Sequence, residues 1–323
     1  MIYTVTLNPA VDKELVVPAL EMDTVLRSQE INIDYGGKGF NVSRMLKALG
    51  SCTVALGFAG GNNGRLLRDG LESLGIESDF VWVDGETRTN VSIVTEVPSH
   101  YIKVNEPGPV ISMEAREALI EKVRALARAG DWWVLAGSLP PGVPPTIYAN
   151  LIQVIQKSGA HVVLDTSGEA LRWGCSGRPF LAKPNDIELQ QLTGLPVDSL
   201  AEIAFAAASM KESGIDNVVV SLGKDGAMLV DAEDVWQAAA PKIKERNPIG
   251  AGDSMVGGLV WGLSDGLSVP DALRWGIACG AATASMSGTA VGSRQLVEEL
   301  HPRVKLTRFG DPVAAAPKDL KNK

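Results

Sequence analysis

Short apolar runs alternate with amphipathic stretches of helical length along most of this chain, and that alternation restricts its possible folds more than any other feature. GGKGFNVSRMLKALG has helical periodicity, TVALGF reads as a buried strand, NNGRLLRDGLESLG returns to helix and DFVWV to strand. After a gap the rhythm resumes with MEAREALIEKVRALARAG, DWWVLAG, PTIYANLIQVIQKSG, HVVLDT, PFLAKPN and NVVVSLG. Apolar strands followed by amphipathic helices are βαβ units, which build a mainly parallel sheet covered by helices on both faces. The expected class is α/β, in three layers α/β/α.

Two segments break the rhythm. Residues 12–35 (DKELVVPALEMDTVLRSQEINIDY) and 88–105 (RTNVSIVTEVPSHYIKVN) alternate like strands with no helix between them. They are expected to pair as a small separate sheet that forms a lid over a site, a dimer surface, or both. This divides the chain into a main α/β body (1–11, 36–87 and 106–309), a small β lid (12–35 and 88–105) and a polar tail, 310–323, expected to be flexible.

The formal net charge of -8 and the lack of a long Lys/Arg run speak against a nucleic-acid partner, but not against a phosphorylated small molecule. MIYTVTLNPA has no basic leader region and no uninterrupted apolar run of about 18 residues occurs, so a cytoplasmic protein with no membrane partner is expected. Cys52, Cys175 and Cys279 are odd in number and far apart, which fits a reducing compartment and makes no zinc set with His100, His161 and His301.

Open α/β sheets bind ligands beyond the carboxyl ends of their strands. TLNPAVD, GFAGGNNG, LAGSLPPG, LDTSGEA, AKPNDIE and SLGKDGA all sit at strand exits, and NPIGAGD opens a later helix. In NPIGAGDSMVGG four glycines crowd around Asp253 at a helix start. Asp253 could simply cap that helix, or a glycine loop could present amides to an anion while Asp253 does acid–base work beside it. The P-loop pattern GxxxxGK[ST] is absent, and GxGxxG fails at Met255, which disfavours a nicotinamide-dependent dehydrogenase.

GGKGFNVSR, KPNDIELQQLTG and NPIGAGDSMVGG, in this order, resemble the motifs of the ribokinase-like sugar kinases of the PfkB type. TLNPAVD, TRTN, VNEPGP and LAGSLPPGV resemble more narrowly the branch that phosphorylates ketohexose monophosphates, which holds 1-phosphofructokinases, tagatose-6-phosphate kinases and the minor 6-phosphofructokinase. The resemblance spans residues 1 to about 300 and implies a ribokinase-like fold and an ATP- and Mg²⁺-dependent kinase. The implied substrate is a ketohexose monophosphate, with fructose 1-phosphate first and tagatose 6-phosphate second. A lysine is expected in the minor 6-phosphofructokinase two positions before the residue matching Arg27. Val25 stands there, which weighs against fructose 6-phosphate.

By this resemblance Asp253 is the catalytic base, and Gly250, Ala251 and Gly252 supply backbone amides as an anion hole. Asp12, Gly36, Gly37, Gly39, Asn41 and Ser138 face the sugar. Arg88 is the best candidate for the substrate phosphate because a guanidinium grips phosphate through two donors, with Lys38, Arg27 and Lys103 behind it. Lys183, Asn185, Ser221, Gly223 and Gly226 border the nucleotide. Asn185 and Glu188, three residues apart, are implied to help place the metal, through water. Each position has a plainer structural use, Asn185 as a helix cap among them. A non-catalytic sugar-phosphate sensor and a nucleoside or unphosphorylated-sugar kinase remain the alternatives, and a homodimer through the β lid is expected.

Overall fold

The computed structural model describes residues 1–95, 100–288 and 290–309, so the tail at 310–323 lies outside the described residues. In chain order the elements begin with β1 (Ile2–Thr6), β2 (Ala10–Val16), β3 (Glu30–Gly36), α1 (Lys38–Ala48), β4 (Thr53–Ala59), α2 (Gly61–Ser73), β5 (Glu77–Ser78) and β6 (Val81–Trp82). They continue with β7 (Arg88–Thr95), β8 (His100–Asn105), α3 (Met113–Leu126), β9 (Trp132–Ala136), α4 (Ile147–Gln156), β10 (His161–Asp165), α5 (Gly168–Ser176), β11 (Leu181–Ala182), α6 (Asp186–Thr193) and α7 (Leu200–Glu212). The last are β12 (Asn217–Ser221), β13 (Ala227–Val230), β14 (Val235–Ala239), α8 (Ala251–Ser264), α9 (Val269–Ala284), α10 (Arg294–Leu300) and β15 (Lys305–Arg308).

The large sheet runs β15-β14-β13-β12-β11-β10-β9-β1-β4-β5, with β6 also paired to β4. From β12 through β4 all neighbours are parallel, while β12 to β15 pair antiparallel. Strands β1 and β9 are buried at every position, as expected when helices cover both faces. Alternate residues feed two cores. Tyr3, Val5, Trp133 and Leu135 join Leu119, Ile152, Leu171 and Ile203 from α3, α4, α5 and α7. Ile2, Trp132 and Val134 join Met45, Val256, Ile277 and Val297 from α1, α8, α9 and α10. A strand with side chains of period 2 that is buried at every position needs cover on both faces, and such a sandwich supplies it.

Serines start four of the helices by accepting a backbone amide three residues on, as Ser112 does from Ala115 and Ser268 from Asp271. No helix among the described residues is long and apolar enough to cross a membrane.

The small sheet has the order β3-β2-β7-β8. Its first strand begins at Ala10, two residues before the segment marked in the sequence, because β1 leaves the large sheet and enters the small one through only Leu7, Asn8 and Pro9. The register puts Leu15 beside Ile31 and Ile93, and Lys13 beside Ile33 and Val91; Ile102 and Val104 continue this face on β8. On the opposite face Asp12 pairs in register with Asp34 and Asn90. The sheet is therefore amphipathic. Near the body, its apolar side is covered where Val11 and Tyr35 pack with Leu67 and Leu71 of α2. Farther out, Ile31, Ile33, Ile102 and Val104 are exposed.

Candidate active site

The residues of NPIGAGDSMVGG divide into two groups. A Cβ on Gly257 would fall 2.9 Å from Met45 Cβ, and one on Gly258 would fall 2.5 Å from Cys279 Sγ, so these two glycines let α8 pack closely on α1 and α9. Gly250 and Gly252 are different. A Cβ at either would meet nothing closer than 3.9 Å, and the atoms it would approach are polar: Asn41 Nδ2 at Gly250 and Lys183 Nζ at Gly252. Gly250 has φ 77° and is the N-cap of α8, a left-handed position suited to glycine. Asp253 is thus not the cap of its helix; it lies in the first turn.

First-turn amides have no partner inside their own helix. That of Ala251 turns back to the Pro248 carbonyl at 3.1 Å, while those of Gly252 and Asp253 make no hydrogen bond among the described residues. Beside them Asp253 is 8% exposed, and its carboxylate accepts a hydrogen bond from Asn41 Nδ2 at 2.8 Å. Burial, reinforced by the nearby Asp165 carboxylate, pushes the Asp253 carboxyl up to about 6, against the opposing pull of Lys38, the Asn41 hydrogen bond and Lys183. A carboxylate so tuned is ionised near neutrality yet basic enough to take a proton.

Lys38 begins α1 and its Nζ lies 3.1 Å from Asp165 Oδ1, with Lys183 Nζ 3.3 Å from the same oxygen. Burial alone would lower the Lys38 ammonium, but Asp165 and Asp253 outweigh it and hold the charge. Burial would likewise raise Asp165, and Lys183 and Lys38 together keep its carboxyl below the usual range.

Toward the small sheet, Asp12 accepts from Asn90 Nδ2 at 2.8 Å. A Cβ at Gly36 would sit 2.1 Å from Asp12 Oδ2, so the glycine makes room for this carboxylate. Gly37 and Gly39 have a packing use as well, since a Cβ on either would collide with Thr6 of β1. Arg88 begins β7 and donates to the Asn8 carbonyl and the Glu106 carbonyl, each at 3.0 Å, fastening the small sheet to the body. Its Nε is buried without a partner, and burial draws the guanidinium below its ordinary value. Asp12, Asp34, Asn41, Ile249, Gly250, Thr283 and Val291 line an open cleft.

The remaining sequence candidates fall in three places. Ser138 is exposed just beyond β9. Arg27, in the loop between β2 and β3, and Lys103, on β8, are exposed and make no ion pair among the described residues, so the structure does not gather them with Asp253. Asn185 and Glu188 interlock: Asn185 Oδ1 accepts from the Glu188 amide at 2.7 Å, and Glu188 Oε2 accepts from the Asn185 amide at 2.9 Å. This is a capping box, with Asn185 outside the helix rather than on one face of it with Glu188. Ser221 ends β12 and bridges to Asn185, and Gly223 and Gly226, both at positive φ, form the turn that follows.

The sequence reading missed Asp165, Asn8 and Asn90. An acidic residue closing an apolar strand, as in HVVLD, is the one local sign that could have marked Asp165. Among the described residues no cluster of three or more His, Cys, Asp or Glu side chains is arranged to hold a metal ion by itself.

The pfkB family carbohydrate kinase pattern matches residues 5–295. The chain belongs to the pfkB family of carbohydrate kinases. This kinase is similar to a 1-phosphofructokinase from Bacillus subtilis, with 40% identity over 96% of this chain and all of the relative. It is 35% identical to a D-tagatose-1-phosphate kinase from Bacillus licheniformis, over 96% of this chain and all of the relative. Phosphofructokinase-2 from Escherichia coli, solved in complex with potassium, superposes with a TM-score of 0.89 at 33% identity, covering 93% of this chain and 98% of that one. The ribokinase-like α/β fold with its separate small sheet, implied by the sequence motifs, is the fold this pfkB kinase has.

Proposed function

We propose that this pfkB kinase transfers the γ-phosphoryl group of ATP to a ketohexose monophosphate, with fructose 1-phosphate as its substrate and fructose 1,6-bisphosphate as product. The observation that carries the reading is the buried Asp253 carboxylate, hydrogen-bonded to Asn41 in the first turn of α8 and next to unengaged amides. Phosphoryl transfer asks a protein mainly for positioning and for neutralisation of charge. Asp253 takes the proton of the attacking sugar hydroxyl. As the new O–P bond forms, the bond to the β-phosphate oxygen breaks and its electron pair leaves with ADP. The amides of the Gly250–Ala251–Gly252 loop hold the transferred group.

At the sugar end, Asp12 accepts from substrate hydroxyls and is itself oriented by Asn90. Asn41, the Gly36–Gly37 backbone, with Gly39 supporting it against β1, and Ser138 complete that side. Arg88, still carrying unused donors, is assigned to the substrate phosphate, and Arg27 and Lys103 are assigned to it only when the small sheet closes. At the nucleotide end, Lys183, Asn185, Ser221, Gly223 and Gly226 line the ATP site.

Mg²⁺ takes oxygen ligands and keeps several waters, and Glu188, which engages only Oε2 in its capping box, suits a water-bridged role together with Asn185. When bound, the ion would neutralise charge on the nucleotide phosphates. The bare apolar face of the small sheet supports a homodimer formed through it.

The similarity to a D-tagatose-1-phosphate kinase favours a second reading, tagatose 1-phosphate, which carries its phosphate at the same carbon. A coupled ADP-release assay with ATP and Mg²⁺ decides, run over fructose 1-phosphate, fructose 6-phosphate, tagatose 1-phosphate, tagatose 6-phosphate, fructose and ribose. The highest kcat/KM is expected for fructose 1-phosphate. Turnover of unphosphorylated sugars alone would contradict the Arg88 assignment, and no turnover at all would favour a sensor.

A further inference from the structure

Asp165 closes β10 at the carboxyl edge of the large sheet, fully buried, and the proposed reaction leaves it without a task. One of its oxygens receives two ammoniums, Lys38 at 3.1 Å and Lys183 at 3.3 Å. Its other oxygen, Oδ2, is buried without a hydrogen-bond partner. A carboxylate recruited only to stabilise the fold would need one cation. The second ammonium goes beyond what pairing this carboxylate requires, and while the Lys183 side chain is only 7% exposed, that of Lys38 is 40% exposed and so open to a ligand.

The position of the two ammoniums identifies the anion that they can hold. Lys183 Nζ is the atom that a Cβ on Gly252 would approach, at 4.0 Å, so one prong of the pair lies over the glycine loop. Lys38 is on the same helix as Asn41, which holds Asp253. With Asp253 ionised, two lysines and two aspartates sum to zero. Once Asp253 has taken a proton, the cluster carries one net positive charge while the phosphoryl group in transfer carries its negative charge.

We propose that Asp165 is a positioning residue that draws the Lys38 and Lys183 ammoniums together into a two-pronged clasp for the terminal phosphate of the nucleotide. Two like charges sharing one small volume repel, and the shared carboxylate holds them there. Lys38 thereby serves the nucleotide phosphate rather than the sugar phosphate suggested by its place in GGKG. The inference rests on the kinase reading.

The groups that face Asp253 are Lys38 and Asn41 on α1, Asp165 on β10 and Lys183 after β11, with Glu188 on α6 near Lys38 and with Asp12 and Asp34 lining the cleft that Asn41 and Gly250 also line. Removing Asp165 takes a negative charge from beside Asp253, and removing Lys38 takes a positive one. Asp165→Asn should therefore move the acid limb of the kcat profile to lower pH, and Lys38→Met should move it to higher pH. These shifts report the charges beside Asp253, and the comparison of ATP with AMP separates a clasp from a purely structural role.

The experiment combines turnover with calorimetry on Asp165→Asn, Lys38→Met and Lys183→Met in the full chain. In Asp165→Asn, kcat is expected to fall about 100-fold while the KM for the sugar phosphate changes less than about threefold. Each variant should bind ATP about tenfold more weakly, with AMP, which lacks the clasped phosphate, bound as by the wild type. Wild-type turnover with kcat and acid limb unchanged in Asp165→Asn would overturn the clasp and leave the kinase reading standing. Absence of wild-type turnover would count against the kinase reading, and calorimetry then judges the clasp alone. Selective loss of ATP affinity supports it; equal loss of ATP and AMP, or none, overturns it. If Asp165→Asn does not fold, the two lysine variants decide by the same comparison of ATP with AMP.

Discussion

Asn41 donates its side-chain amide to the Asp253 carboxylate at 2.8 Å across 212 residues of sequence. The bond joins the start of α1, built from the GGKGFN motif, to the first turn of α8, built from GAGD.

A hydrogen bond donated to a carboxylate favours its ionised form. In Asn41→Ala the Asp253 carboxyl, already pushed up to about 6 by burial and by Asp165, should titrate higher still. At pH 6.5 a smaller share is then ionised and kcat should fall several-fold, recovering in part above pH 8. A kcat profile from pH 5 to 9 on both proteins checks this. An acid limb in the same place would mean that the bond does not tune the base.

The two kinds of glycine in NPIGAGDSMVGG should behave oppositely. Gly258→Ala places a Cβ 2.5 Å from Cys279 Sγ and 2.7 Å from the Trp275 carbonyl and should destabilise the protein by about 1–3 kcal/mol. Gly252→Ala enters open space and replaces glycine within a helix, which favours folding by up to about 1 kcal/mol. Its kcat should nevertheless fall, because the added methyl occupies the space proposed for the transferred phosphoryl group. Urea denaturation and turnover on the same two variants separate the cases.

The α/β/α order was legible because each buried strand is a short, mostly apolar run and each following helix has one apolar face. The small sheet was legible as two stretches of alternation with no helix. Asp253, Asn41 and Asp12 were legible as members of motifs. Asp165 was not, since its meaning comes from Lys38, 127 residues away, and from Lys183, and neither spacing has a local signature. Asn185 and Glu188 carried the spacing of a capping box, a cap residue followed three positions later by Glu, in plain view, and the structure builds that box. Arg88 was read as the best candidate for a substrate phosphate, and its guanidinium also fastens the small sheet through the carbonyls of Asn8 and Glu106, which the sequence did not signal.

The apolar face carrying Ile31, Ile33, Ile102 and Val104 should join two copies of the chain. Sedimentation velocity at micromolar concentration is expected to give a dimer, and the double variant Ile31→Glu/Ile33→Glu a monomer, since paired charges at such a face oppose its burial. A monomeric wild type would contradict the dimer.

The central claim is that Asp253 is the base of a sugar-phosphate kinase. Its most direct test is kcat of Asp253→Asn against wild type on the preferred ketohexose phosphate, with dissociation constants for that sugar phosphate measured on the same samples. The expected result is a drop in kcat of about 10³-fold or more while the sugar-phosphate affinity stays within a few-fold. An Asp253→Asn enzyme that turns over at the wild-type rate would contradict it.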